Sequence, residues 1–140
     1  MLFGTNSDFG KKMEIFRMSL EATSLRRQVI ADNIANADTP FFKRAEVTFE
    51  SQLKRALDSE KKEEFPALLT DKRHMAFDEV IDYRTVKPQV RIEYDSNYRN
   101  DKNNVDIDKE MTDATKNAMQ YNALLEAYSR NIRILDTVLR

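Results

Sequence analysis

From residue 107 onward, apolar side chains recur at spacings of 4, 3, 4, 3 with no polar interruption: Ile107, Met111, Ala114, Ala118, Tyr121, Leu125, Tyr128, Ile132, Leu135 and Leu139. A period of 3.5 sustained this long commits the stretch to a helix carrying a coiled-coil seam. Asp106 is placed to cap its N-terminus, Asp108 and Glu110 lie in the first turn, and Arg140 closes the last, each where the helix dipole favours its charge. At ~1.5 Å per residue the helix runs roughly 50 Å, longer than a compact domain of this size needs. Beside the seam lies a partial second stripe, Leu124, Ala127, Asn131, Ile134 and Val138, so one partner helix cannot cover both.

The sequence offers one other long helix, from about Asp8 as N-cap to about Asn36. Phe9, Met13, Phe16 and Leu20 mark one stripe; Ile15, Met18, Ala22, Leu25 and Val29 mark a second. The first resumes at Ile30 and Ile34 after a polar break at Thr23 and Arg27. The lengths match well enough for the two helices to lie side by side, and each would then still expose an apolar stripe, the usual mark of an interaction site.

Between them, residues 41–104 differ in character. "TFESQLKRALDS" predicts a short amphipathic helix capped by Thr48 with Phe49, Leu53, Ala56 and Leu57 inward, and "SEKKEEF" a solvated charge run. "VKPQVRIEYDSN" alternates Val90, Ile92 and Tyr94 with Gln89, Arg91 and Glu93, a half-buried strand with Pro88 at its start. "SNYRNDKNN" supplies turn residues before the last helix. The expected class is therefore mainly α, with long N- and C-terminal helices pairing as a coiled coil around a small irregular or β-containing insert. The segments are 1–40, 41–104 and 105–140.

Composition supports long elements, because only two glycines and three prolines punctuate a chain that is one-third charged. With 23 basic and 24 acidic residues and no basic block, nucleic acid is not an expected partner. No segment approaches the roughly 20 apolar residues of a membrane span. "MLFGTNSDFGKKMEIF" lacks the layout of a cleaved signal peptide, so any export would read another signal. The absence of cysteine excludes disulfides and thiolate chemistry.

Nor do the residues suggest catalysis. A lone histidine, His74, builds neither a metal cage nor a triad, and reads as a surface residue. "DIDKEM" lacks the glycine and downstream glutamate of a calcium loop. Asp78, Glu79 and Asp82 read as a solvated face, and glycines at positions 4 and 10 alone make no phosphate loop. No enzymatic role and no cofactor or metal are expected.

"VIADNIANADTPFFKR" is the other informative stretch. Asn and Asp compete for backbone hydrogen bonds, and the residue before Pro40 is pushed out of the α region, so the helix should stop here and turn. Asn33 and Asn36, three apart on one face, give more hydrogen-bonding capacity than a simple stop requires. These residues resemble the N-terminal signature of the axial (rod and hook) proteins of the bacterial flagellum, approximately A-x-N-[IL]-A-N-[AV]-x-T-P-[GF]-[FY]-K. The pattern falls on Ala31, Asn33, Ile34, Ala35, Asn36, Ala37, Thr39, Pro40, Phe42 and Lys43. Phe41 departs from it where relatives commonly have glycine, and Asp32 where a small or amide residue is usual.

Together with the C-terminal "NNVDIDKEM…QYNALLEAYSRNIRILDTVLR", the organisation is most similar to proximal rod subunits. That resemblance implies terminal helices that pack with those of neighbours, including other copies and other rod and rod-junction proteins. It implies export through the flagellar type III apparatus without a cleaved signal, a place in the periplasmic rod of the basal body, and transmission of torque from motor to hook. The competing reading is a cytosolic helical adaptor or export chaperone whose apolar stripes bind a client helix.

Overall fold

The computed structural model describes residues 7–61, 80–94 and 100–139. In chain order they form α1 (Asp8–Ala35), β1 (Ala45–Thr48), α2 (Glu50–Ser59), a 3-10 turn (Tyr83–Thr85), β2 (Gln89–Ile92) and α3 (Ile107–Leu139). The expected architecture holds: two long terminal helices pack together, with a two-stranded sheet from the middle of the chain. The charge run around residues 59–65, His74, Asp78, Glu79 and Arg140 lie wholly or partly outside the described residues.

Contacts divide the chain into two units. The first contains α1, β1, β2 and α3. Asn33, near the end of α1, meets Glu110, near the start of α3, and Thr23 meets Asn117, so the helices run antiparallel. Ser7 caps α1, one residue earlier than the sequence suggested, because its hydroxyl accepts the Gly10 amide at 3.1 Å. Asp106 caps α3 as expected, accepting the amides of Asp108 and Lys109 at 3.0 and 3.3 Å. Met18, Ala22 and Val29 of the second α1 stripe are buried. So is Thr23, expected as a polar break, because its carbonyl receives a bond from Asn117.

The sheet is antiparallel, since the Glu93 amide donates to the Arg44 carbonyl at 2.9 Å, one residue before β1 and one after β2. That pairing places Ala45 and Val47 with their backbone polar groups toward the far edge of β1. Side chains of α1 occupy that edge. Asn33 donates to the Ala45 carbonyl at 2.8 Å and accepts its amide at 3.0 Å, and Arg26 donates to the Val47 carbonyl at 3.3 Å. β2 corrects one expectation: Val90, Ile92 and Tyr94 are exposed rather than half-buried. The polar side of the ladder, Arg44 and Glu93, is the one turned to α3, where Arg44 finds its carboxylates.

In the second unit, α2 packs on the 3-10 turn. Phe49, Leu53, Ala56, Tyr83 and Val86 are its buried apolar residues, while Leu57 is only half-buried. Thr48 is not the cap. Phe49 occupies that position without a side-chain capping bond, so burial of the ring prevails over satisfaction of the helix start. Asp82 caps the turn through the Arg84 amide at 2.9 Å, and the Ile81 amide donates to the Ser59 hydroxyl at 3.0 Å.

Only Glu110 and Asn117 of α3 are buried, both in its first third, whereas most residues after Arg130 are exposed. Local opening follows burial. Native-state hydrogen exchange on the isolated protein should therefore find slow amides around residues 110–121 and far faster exchange across 130–139. Uniform protection along α3 would contradict this.

Candidate assembly site

Two features of the helical unit bear on function: a polar clamp at the closed end of the hairpin and an apolar stripe along α3. The clamp begins with Arg44, buried beside Glu110, which is fully buried. The Arg44 Nε donates to Glu110 Oε1 at 2.6 Å, and its remaining nitrogens reach Glu93 at 3.1 Å and Asp113 at 3.5 Å. Glu46 lies at 3.6 Å. Burial opposes the charge on Arg44, but hydrogen bonds and proximity to Glu110 and Glu93 outweigh it and hold the pKa above its ordinary value. The folded state therefore keeps the benefit of this charge at every pH below the unfolded pKa, losing it only at more alkaline pH than ordinary arginine titration.

Asparagines complete the clamp. Asn33 Nδ2 reaches both the Ala45 carbonyl and Glu110 Oε2, the latter at 3.0 Å. Asn104 inserts into the sheet ladder like a peptide group, accepting the Arg44 amide at 2.6 Å and donating to the Glu93 carbonyl at 2.8 Å. Asn103, fully buried, shares its amide hydrogens among the carbonyls of Asn36, Ala37 and Thr39, each at 2.9 Å, and accepts the Val105 amide at 2.7 Å. The turn after α1 is thus satisfied largely from the far end of the chain.

The signature residues divide accordingly. Asn36 serves the helix stop as expected, donating to the Asp32 carbonyl at 2.8 Å and accepting from the Thr39 hydroxyl at 3.3 Å. Asn33 does not; its side chain turns inward to β1 and α3. Ala37 is buried, Ile34, Phe42 and Lys43 are half-buried, and Ala31, Ala35, Thr39 and Pro40 are exposed. Lys43 Nζ donates to the Lys102 carbonyl at 2.8 Å. Phe41 has φ 64°, in the left-handed region that suits glycine, and so does Lys102 at 59°. The two loops are tied by the Phe41 amide to the Asp101 carbonyl at 2.9 Å, with the Lys102 ammonium 5.7 Å from the Phe41 ring centre. Arg44, Glu110, Asn103, Asn104 and Asn117 were not foreseen as site residues. A signal was present for two of them, since Glu110 and Asn117 are polar residues one heptad apart beside the apolar seam.

The expected seam is divided by the hairpin. The face of α3 turned to α1 bears Glu110 and Asn117, with Ala114, Tyr128 and Leu135 of the expected seam half-buried. Tyr121 and Tyr128 line a cleft with Arg17, Leu20, Glu21 and Ser24 of α1. The other half of the expected seam is left out of the hairpin. Met111 is 56 % exposed, Leu125 44 %, Ile132 41 % and Leu139 66 %; Ala118 and, at the helix start, Ile107 are exposed as well. Asn117 donates to the Thr23 carbonyl at 2.9 Å, but its buried Oδ1 has no hydrogen-bond partner. Such an orphan costs about 1–3 kcal/mol.

Arg44→Met should cost about 3–5 kcal/mol in denaturant unfolding, because it strands the buried Glu110 charge, and Arg44→Met with Glu110→Leu should recover much of that loss. Additive losses would disprove the coupling. Asn33→Ala should cost more than Asn36→Ala, roughly 2 against 1 kcal/mol, since three bonds to buried or backbone partners are lost instead of exposed ones.

Known proteins match the chain over nearly all of its length. A family profile described as "Flagella basal body rod protein" matches residues 19–43, the end of α1 and the turn. The flagellar basal body rod protein FlgB of Borreliella burgdorferi is 34 % identical over 134 residues, covering 96 % of this chain and 99 % of that protein. FlgB of Borrelia hermsii is 38 % identical over 135 residues, covering 91 % and 100 %, and FlgB of Bacillus subtilis 31 % identical, covering 94 % and 95 %. With 34 and 38 % identity over more than nine-tenths of the chain, this protein belongs to the FlgB family of flagellar basal body rod proteins.

Proposed function

We propose that the protein is a structural subunit of the proximal rod that joins its neighbours through the outward stripe of α3 and so helps to carry torque from motor to hook. The observation that carries this reading is the stripe itself: Met111, Ala118, Leu125, Ile132 and Leu139 keep a heptad spacing that the hairpin does not use. A heptad row of this kind suits a helix laid alongside it. Its natural occupants are terminal helices of further copies and of other rod and rod-junction proteins. The FlgB relatives are named as rod proteins, not as enzymes. Periplasmic placement by the flagellar type III export apparatus follows from the same reading. No helix among the described residues is long and apolar enough to cross a membrane.

Deleting the gene should abolish filament assembly while leaving the inner membrane ring in place, as judged by electron microscopy of basal bodies; swimming in a clean deletion strain would refute the reading. Leu125→Asp should leave the thermal unfolding of the isolated protein nearly unchanged, because surface substitutions usually shift stability by about 0.5 kcal/mol or less. The same substitution should prevent incorporation into basal bodies. Wild-type incorporation of this variant would remove the stripe from the interface.

A further inference from the structure

Glu110 and Asn117 raise a question that hairpin stability does not answer. A fully apolar pairing face was available one position further round α3, formed by Met111, Ala118, Leu125, Ile132 and Leu139 with the shared row of Ala114, Tyr121, Tyr128 and Leu135. At about 100° per residue the two rows lie roughly 100° apart, so exchanging one for the other while keeping the shared row would shift the centre of the pairing face by roughly 50° about the helix axis. The observed rotation instead buries a glutamate completely and leaves the Asn117 Oδ1 unsatisfied. We propose that Glu110 and Asn117 act as a rotational lock, fixing α3 against α1 so that its stronger apolar row faces outward and cannot be consumed within the chain.

The partners of these two residues are positional. Glu110 is held by Arg44 and Asn33, and Asn117 by the Thr23 carbonyl, so both ends of the buried segment of α3 are indexed to points on α1 and β1. Rotating the apolar row inward would carry Glu110 away from Arg44 and Asn33 and strip its carboxylate of both partners, while Arg44 would keep only Glu93 and Glu46. A buried polar residue that selects one register over a better-packed alternative is a known use of asparagine in helix pairs. The lock deepens the assembly reading, because its value lies in reserving the stripe for a neighbour.

The absence of cysteine allows a direct test by thiol labelling of the full chain. In an otherwise wild-type background, Ala118→Cys and Leu125→Cys should label rapidly. Adding Arg44→Met, Glu110→Leu and Asn117→Leu together should slow both sites by about tenfold or more as the row turns inward. Unchanged labelling in that folded variant would overturn the lock. Should the combined variant fail to fold, Asn117→Leu alone decides: a raised melting temperature supports the lock, and a lowered one overturns it. If labelling slows while the variant still enters basal bodies, the lock stands and the assembly reading of the stripe falls.

Discussion

The bond between Arg44 and Glu110 joins residues 66 apart in sequence, and most of the helical unit is organised around it. Arg44 precedes β1 and bonds Glu93 after β2; Glu110 lies in the first turn of α3 and also receives Asn33 from α1. Four elements are thus referred to one guanidinium and one carboxylate. Buried pairs of this kind add little net stability compared with apolar packing, because desolvation offsets their attraction, but they penalise any arrangement that separates them. That asymmetry suits a protein with few buried apolar residues. What the clamp contributes is a single permitted arrangement of two long helices that could otherwise slide or rotate.

How far the sequence revealed this differs from element to element. The two helices, the Asp106 cap and the stop after Asn36 rest on local rules of periodicity and capping, and those rules need no knowledge of the far end of the chain. The glycine that relatives commonly carry at position 41 came from the family resemblance instead, and the left-handed backbone of Phe41 gives it a physical basis. Side-chain destinations across 60 or more residues were not readable. Asn33 looked like a turn residue because Asn36 is one, yet it reaches β1 and, 77 residues away, Glu110. The strand's burial was misjudged for a related reason: alternation tells which residues share a side, not whether anything covers it, and all four residues of β2 are exposed. Nor could periodicity tell which row of α3 the hairpin would cover, because it marks an apolar row without saying whether a helix of the same chain or a neighbour covers it.

That last limit is instructive about proteins that work in assemblies. A monomer that satisfies all its own apolar surface has nothing left with which to bind. Here the internal helix contact uses polar groups near the hairpin's closed end and leaves the C-terminal third of α3 largely uncovered. Stability and the proposed binding capacity therefore rest on different residues of one helix, so substitutions should alter either with limited effect on the other.

The closed edge of β1 has a consequence of its own. Asn33 and Arg26 fill the backbone positions that another strand would need on that side, so the sheet cannot be extended there without first displacing them. Subunits crowded at a growing end bring many strand edges together, and open edges invite runaway pairing. With one edge shut by its own helix, the sheet cannot propagate head to tail through repeated copies, since each new pairing would require both edges. Under the proposed assembly, growth would be left to helical surfaces, whose geometry can define a tube of fixed width instead of an indefinite ribbon.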